Sequence, residues 1–133
     1  MERTTRRILL ADDEPHIRKI VGKRLELAGF EVVTAEDGEE AIAKARVGRP
    51  DILLLDLMLP KKNGLEVCAE LRREEHGRRL PIIIFSARSG EMDERLCRDA
   101  GADAFITKPH GSAALLEQVE ALLGKLEAQG DAG

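Results

Sequence analysis

Tryptophan and tyrosine are absent from this chain of 133 residues, and phenylalanine occurs only as Phe30, Phe85 and Phe105. Proteins that grip single-stranded nucleic acid stack its bases on aromatic rings, so this composition weighs against such a role. Cysteine is almost as scarce. Cys68 and Cys97 stand far apart, with no CxxC or CxxH spacing. That leaves no zinc or redox motif, and both read as small packing residues of a reducing compartment. A surplus of positive charge is missing too. The 21 Lys and Arg face 25 Asp and Glu, a balance of −4, so no general attraction to nucleic acid or to an anionic membrane is expected. The longest apolar runs, such as 52–55 and 82–85, fall far short of the roughly 20 residues of a membrane span. The charged start at 1–7 leads into no signal-peptide core. A single cytoplasmic domain is the expected class, with no output domain attached.

What is present is a strict alternation of short apolar runs and helical periodicity. Ile8 to Ala11 reads as a strand, and Ile17, Ile20, Val21, Leu25 and Ala28 follow at helical spacing, with Pro15 in the first turn and Gly29 at the C-terminal cap. Glu31 to Ala35 reads as the second strand. Asp37 with Glu40 resembles a capping box for a helix through Ala41, Ile42 and Ala45, stopped by Gly48 and Pro50. The third strand, Ile52 to Leu55, ends at Asp56, and after a loop from Pro60 to Gly64 a helix carries Leu65, Cys68 and Leu71. Pro81 introduces the fourth strand, Ile82 to Phe85. Ser89 is placed to cap a helix with Met92, Leu96 and Ala100 on its apolar face, ended by Gly101. Ala104 to Thr107 forms the fifth strand, and Ser112 opens a helix with Leu115, Leu116, Val119, Leu122, Leu123 and Leu126 on one side. Strands this apolar, separated by helices, predict an α/β fold: a doubly wound parallel sheet covered on both faces with right-handed crossovers. In such folds the site lies at the carboxyl ends of the strands.

That edge is where the chemistry-bearing residues fall. Asp12 and Asp13 follow the first strand, Asp56 ends the third, Ser86 ends the fourth and Lys108 follows the fifth. Taken singly, Asp13 could cap a helix, Asp56 could be a turn residue before Pro60, and Lys108-Pro109 could be an ordinary loop. Capping and turn preferences do not explain their joint placement on one edge. Three carboxylates brought together repel, and a hard divalent cation such as Mg²⁺ relieves that repulsion. A carboxylate can also act as nucleophile toward a phosphoryl group, with a lysine and a hydroxyl stabilising the transferred charge.

In order, Asp12-Asp13, Asp56-Leu57-Met58-Leu59-Pro60, Ser86-Ala87 and Lys108-Pro109 match the motifs of the bacterial response regulator receiver family, which the chain resembles from Arg7 to Leu126. The resemblance implies a flavodoxin-like (βα)5 sheet of order 2-1-3-4-5, with a receiver domain over 7–127 and flexible ends at 1–6 and 128–133. It implies that Asp56 is the phosphoacceptor. Asp13, Asp56 and the Met58 backbone carbonyl would bind Mg²⁺, with Asp12 assisting and Mn²⁺ as a substitute. Ser86, Ala87 and Lys108 would contact the phosphoryl group, with a cis Lys108-Pro109 peptide aiming the lysine inward. Ser86 and Phe105 would form a switch pair that alters the surface of the fourth helix, fifth strand and fifth helix. Met58 and Arg88 occupy the positions that tune phosphoryl lifetime. The implied partners are a sensor histidine kinase or phosphotransfer protein and a downstream protein, and the implied role is a signalling switch that supports its own phosphoryl transfer and slow hydrolysis. Two departures stand out. His110 follows Pro109 where the family usually has an apolar residue, and 117–120 reads Glu-Gln-Val-Glu where one branch carries dimer-pairing arginines. A monomer or weak dimer is therefore expected.

Three other readings compete. A flavin-binding protein of similar architecture would want a hydroxyl-rich loop after the first strand, not Asp12-Asp13-Glu14. A phosphatase working through an aspartyl phosphate would want an acid two residues past the nucleophile, where Met58 stands. A receiver that binds partners without phosphorylation would not need the complete acceptor set. His16, His76 and His110 lack ligand spacing. Arg72, Arg73, Arg78 and Arg79 interleave with Glu70, Glu74 and Glu75 and read as a solvated charged face.

Overall fold

A computed structural model describes residues 5–87, 90–107 and 115–124. Five strands, β1 (Arg7–Ala11), β2 (Glu31–Ala35), β3 (Ile52–Asp56), β4 (Ile82–Ser86) and β5 (Ala104–Thr107), alternate with helices α1 (Pro15–Leu27), α2 (Gly38–Gly48), α3 (Gly64–Arg72) and α4 (Glu91–Ala100). A fifth helix, α5, runs through 115–124. All neighbouring strands are parallel, in the order β2-β1-β3-β4-β5, as expected.

The sheet divides the core in two. Ile8, Leu10, Ile52, Leu54, Ile83 and Phe85 point to one face, where α1 and α5 bring Leu25, Leu115, Val119 and Leu123. Leu9, Leu53, Leu55, Ile82 and Ile84 point to the other, where α2, α3 and α4 bring Ala41, Ile42, Val67, Leu71 and Cys97. This follows from the period-2 alternation of side chains along a strand. Every residue of β3 and β4 is buried, whereas all four of β5 are half-buried.

Helix boundaries show where local chemistry decides. Pro15 opens α1 at the first position and Gly29 takes the left-handed conformation just past its end, at φ 102°. Asp37 caps α2 by accepting the Glu40 N–H at 2.8 Å; that bond and nearby Lys61 hold its carboxyl below the ordinary 3.8. The return half of the expected box is displaced, since Glu40 Oε1 takes the N–H of Glu36 rather than of Asp37. A complete box stands instead at α3, where Asn63 and Glu66 bond reciprocally. Gly48 remains helical and Arg49 is the left-handed residue, at φ 43° and ψ 64°. Pro50 disfavours right-handed helix at the residue before it, which accounts for the turn falling there.

Two expectations are corrected. The apolar face of α4 is largely outside the core: Met92 is 66% and Leu96 44% exposed, while Cys97 is fully buried and Ala100 packs against the core. The helix is therefore held by its C-terminal half. It begins after Gly90, which makes no side-chain cap, and Ser89 lies outside the described residues. Arg72 is not part of a solvated face either, because its guanidinium is turned into a set of backbone carbonyls.

Cys68 and Cys97 are both fully buried, and burial pushes each thiol up to about 11. Neither should react with a thiol reagent at about pH 8 in the native protein, and both should react in denaturant. Rapid native labelling of either would contradict their placement. Between the ordinary 9.0 and about 11 the folded chain retains protons that the unfolded chain releases. Stability should fall as pH rises through that window.

Candidate functional site

The site is built from strand ends. Asp12 continues the ladder past β1, its N–H bonding Ala35 O at 3.1 Å, and it is fully buried. Its Oδ1 accepts the Glu14 N–H at 2.9 Å. Asp13 is exposed and does not cap α1, whose N-cap is Glu14 without a side-chain bond. The capping explanation for Asp13 is thereby removed. Asp56 is the last residue of β3, 5% exposed, and its Oδ1 accepts the Met58 N–H at 3.2 Å. Oxygen atoms of Asp12, Asp13 and Asp56 lie within 4.8 Å of one another.

A cluster of this kind, with two of its members buried, is electrostatically unfavourable unless a cation or donors offset it. Three carboxylates, with no His or Cys in the group among the described residues, suit a hard divalent cation. Among the described residues no other acidic, His or Cys group has such spacing. His16 and His76 instead face Glu14 and Glu74, at 3.3 and 3.5 Å.

Ser86 is fully buried at the end of β4, in register with Thr107 at the end of β5. Ala87, next in the chain, is exposed. Phe105, opposite Ile84 in the register, is half-buried and packs against the core on the α2–α4 side. The predicted residues Arg88, Lys108, Pro109 and His110 lie outside the described residues. Asp13, Met58, Pro60, Asn63 and Leu96 help line a cleft of about 460 Å³ that runs from the acidic cluster toward α4.

Two features of the site were missed in the sequence. Gly64 sits so close to the end of β3 that a Cβ would stand 2.8 Å from Asp56 O, and its N–H bonds Leu57 O at 2.8 Å. Arg18 reaches back from α1 to Asp12 O at 2.7 Å. The glycine after the Asn63 cap was a readable signal; nothing in a local pattern marks Arg18.

Comparison with known proteins fits this geometry. The family model described as response regulator receiver domain matches residues 8–120. The alkaline phosphatase synthesis transcriptional regulatory protein PhoP of Bacillus subtilis is 40% identical over 122 residues, covering 92% of this chain and 50% of that protein. The chain spans about half the length of the curated relatives it matches. Because such relatives are transcriptional regulators, they lend no support to the expectation that nucleic acid plays no part. Among solved structures, the chemotaxis response regulator CheY4 of Vibrio cholerae is 30% identical with a TM-score of 0.85, over 89% of this chain and 98% of that one. The receiver domain of a sensor histidine kinase from Pseudomonas aeruginosa, with a magnesium ion coordinated in its active site cleft, is 31% identical with a TM-score of 0.84, over 91% and 99% of the chains. No helix among the described residues is long and apolar enough to cross a membrane. With the sheet order, the acidic edge and a family match running from β1 into α5 all in agreement, the chain belongs to the response regulator receiver domain family, the phosphorylation-based switches of two-component signalling.

Proposed function

We propose that this protein accepts a phosphoryl group on Asp56 from a sensor histidine kinase or phosphotransfer protein in the cytoplasm, in a reaction that requires Mg²⁺. The observation that carries the reading is the convergence of Asp12, Asp13 and Asp56 within 4.8 Å at the carboxyl edge. Asp13, Asp56 and the Met58 carbonyl hold the metal and Asp12 assists; Mn²⁺ can substitute. The metal, when bound, offsets charge on the transferred group. An Asp56 oxygen attacks phosphorus as the P–N bond of the donor phosphohistidine breaks, and the electron pair stays on the imidazole nitrogen, which takes a proton from solvent. The Ser86 hydroxyl, the Ala87 backbone and Lys108 hold the phosphoryl oxygens.

Ser86 and Phe105 then move together, altering the α4, β5 and α5 surface for a downstream partner. Met58 and Arg88 limit the approach of water and set the lifetime of the aspartyl phosphate. The receiver domain extends over 7–127, and the protein is a monomer or weak dimer. Of the residues in this scheme, Arg88 and Lys108 lie outside those described.

The test is intact mass after incubation with Mg²⁺ and acetyl phosphate. Wild type should gain one phosphoryl group, and Asp56→Asn should gain none. No adduct on wild type, or an equal adduct on the variant, would remove the reading.

A further inference from the structure

We infer that Arg18 is a positioning residue of the acidic pocket, fixing the Asp12–Asp13 peptide and so the place of Asp13; this rests on the metal-binding reading above. Among the described residues the Asp13 carboxylate has no hydrogen-bond partner, so only its backbone can hold it in the cluster. That backbone is held from two sides. The Asp12 N–H bonds Ala35 O at 3.1 Å, and the Asp12 carbonyl accepts from Arg18 Nη1 at 2.7 Å. Turning the peptide plane that leads into Asp13 would break the second bond.

Arg18 is itself fixed. Its Nη2 donates to Glu36 Oε1 at 2.9 Å, and the Glu36 N–H is in turn held by Glu40 Oε1 at 2.8 Å. The guanidinium therefore braces the β1–α1 loop against the β2–α2 loop, and its side chain is only 15% exposed. Its charge alone works against a metal, since a cation beside three carboxylates opposes the arrival of another. Glu36 offsets that charge. A guanidinium in this position favours metal binding through geometry, because its planar fork serves two acceptors at once and an ammonium cannot reproduce that.

Charge and geometry predict opposite outcomes, which makes the inference testable by Mg²⁺ titration in a calorimeter. Arg18→Lys and Arg18→Gln should both raise the Mg²⁺ dissociation constant, by about tenfold, the lower end of what loss of an outer-shell partner causes. In the metal-free protein the Asp12 amide, which bonds Ala35 O, should exchange faster with solvent in both variants, with the thermal transition by circular dichroism retained. Should Arg18→Gln fail to fold, Arg18→Lys carries the test by the same two measurements. Unchanged or tighter Mg²⁺ binding in the variants would overturn the role of Arg18 and leave the metal site standing. Wild type that binds no Mg²⁺ would overturn the metal site itself.

Discussion

Replacing Arg72 with alanine is expected to lower the unfolding free energy by about 3 to 5 kcal/mol, the range seen when a buried charged partner is removed. The guanidinium makes five hydrogen bonds: Nε and Nη2 to Gly101 O at 3.0 and 2.8 Å, Nη1 to Gly77 O and Leu80 O at 2.6 Å each, and Nη2 to Asp103 Oδ2 at 3.1 Å. Its side chain is 18% exposed. The carbonyls belong to three turns, so one side chain joins the end of α3, the turn at 75–77, the approach to β4 and the α4–β5 turn. Asp103 extends the junction by accepting the Ile82 N–H at 2.8 Å. Alanine leaves these carbonyls short of a donor in a space too crowded for easy solvation; the Cβ that Gly77 lacks would fall 2.0 Å from Leu71 O. Lysine should rescue little, since an ammonium cannot span acceptors set on a fork. Urea unfolding followed by far-ultraviolet circular dichroism measures the effect, the absence of Trp and Tyr leaving little intrinsic fluorescence. A loss below about 0.5 kcal/mol, the size typical of surface substitutions, would show that the network contributes little.

The second large effect should come from Gly38→Ala, at the first position of α2. A Cβ there would stand 2.0 Å from Lys62 O and 2.7 Å from the Lys62 carbonyl carbon. The backbone of Gly38 is right-handed, so what it needs is space and not a special conformation. Its N–H bonds Pro60 O at 3.1 Å, and Lys61, left-handed at φ 69°, lies 3.5 Å from Asp37. The loop after Asp56 is thus seated backbone to backbone on the start of α2. An added methyl has no flexible side chain to displace and should cost about 2 to 3 kcal/mol, as overpacking does. It should also slow phosphorylation of Asp56, because the displaced loop carries Met58. Gly48→Ala is the control: nothing lies within 4 Å of its missing Cβ, and it should be neutral or slightly stabilising. Equal stability of the two variants would show that the loop gives way freely.

Much of this was legible in the sequence. β2 coincides with its predicted bounds, and the fully buried β3 and β4 read as unbroken apolar runs because both of their faces are covered. The acidic cluster was legible because two strand ends, those of β1 and β3, carried its members and the parallel topology brings strand ends together. Arg72 was misread because alternating charge says how many side chains face water but not which one turns inward. Its spacing from Cys68, one helical turn, was the available clue. On α4 the helical period was present but only Ala100 of the expected stripe packs against the core, since Met92 is exposed and Leu96 lines the cleft beside Asp56 while Cys97 is fully buried. Contacts such as Arg18 to Asp12 O, or Gly38 against Lys62 O, depend on how loops are seated against one another, which no local period encodes.

The burial of the strands sets a gradient of stiffness across the sheet. Asp56 ends a strand in which every residue is enclosed between two helical layers, while β5, two strands away, is half-buried throughout. A segment with less of its surface packed opens and shifts at lower free energy. Asp56 is therefore mounted on the rigid middle of the molecule, and under the proposed phosphorylation it should keep its place. The displacement proposed to follow should be absorbed at the compliant margin, where Thr107 lies in register with Ser86.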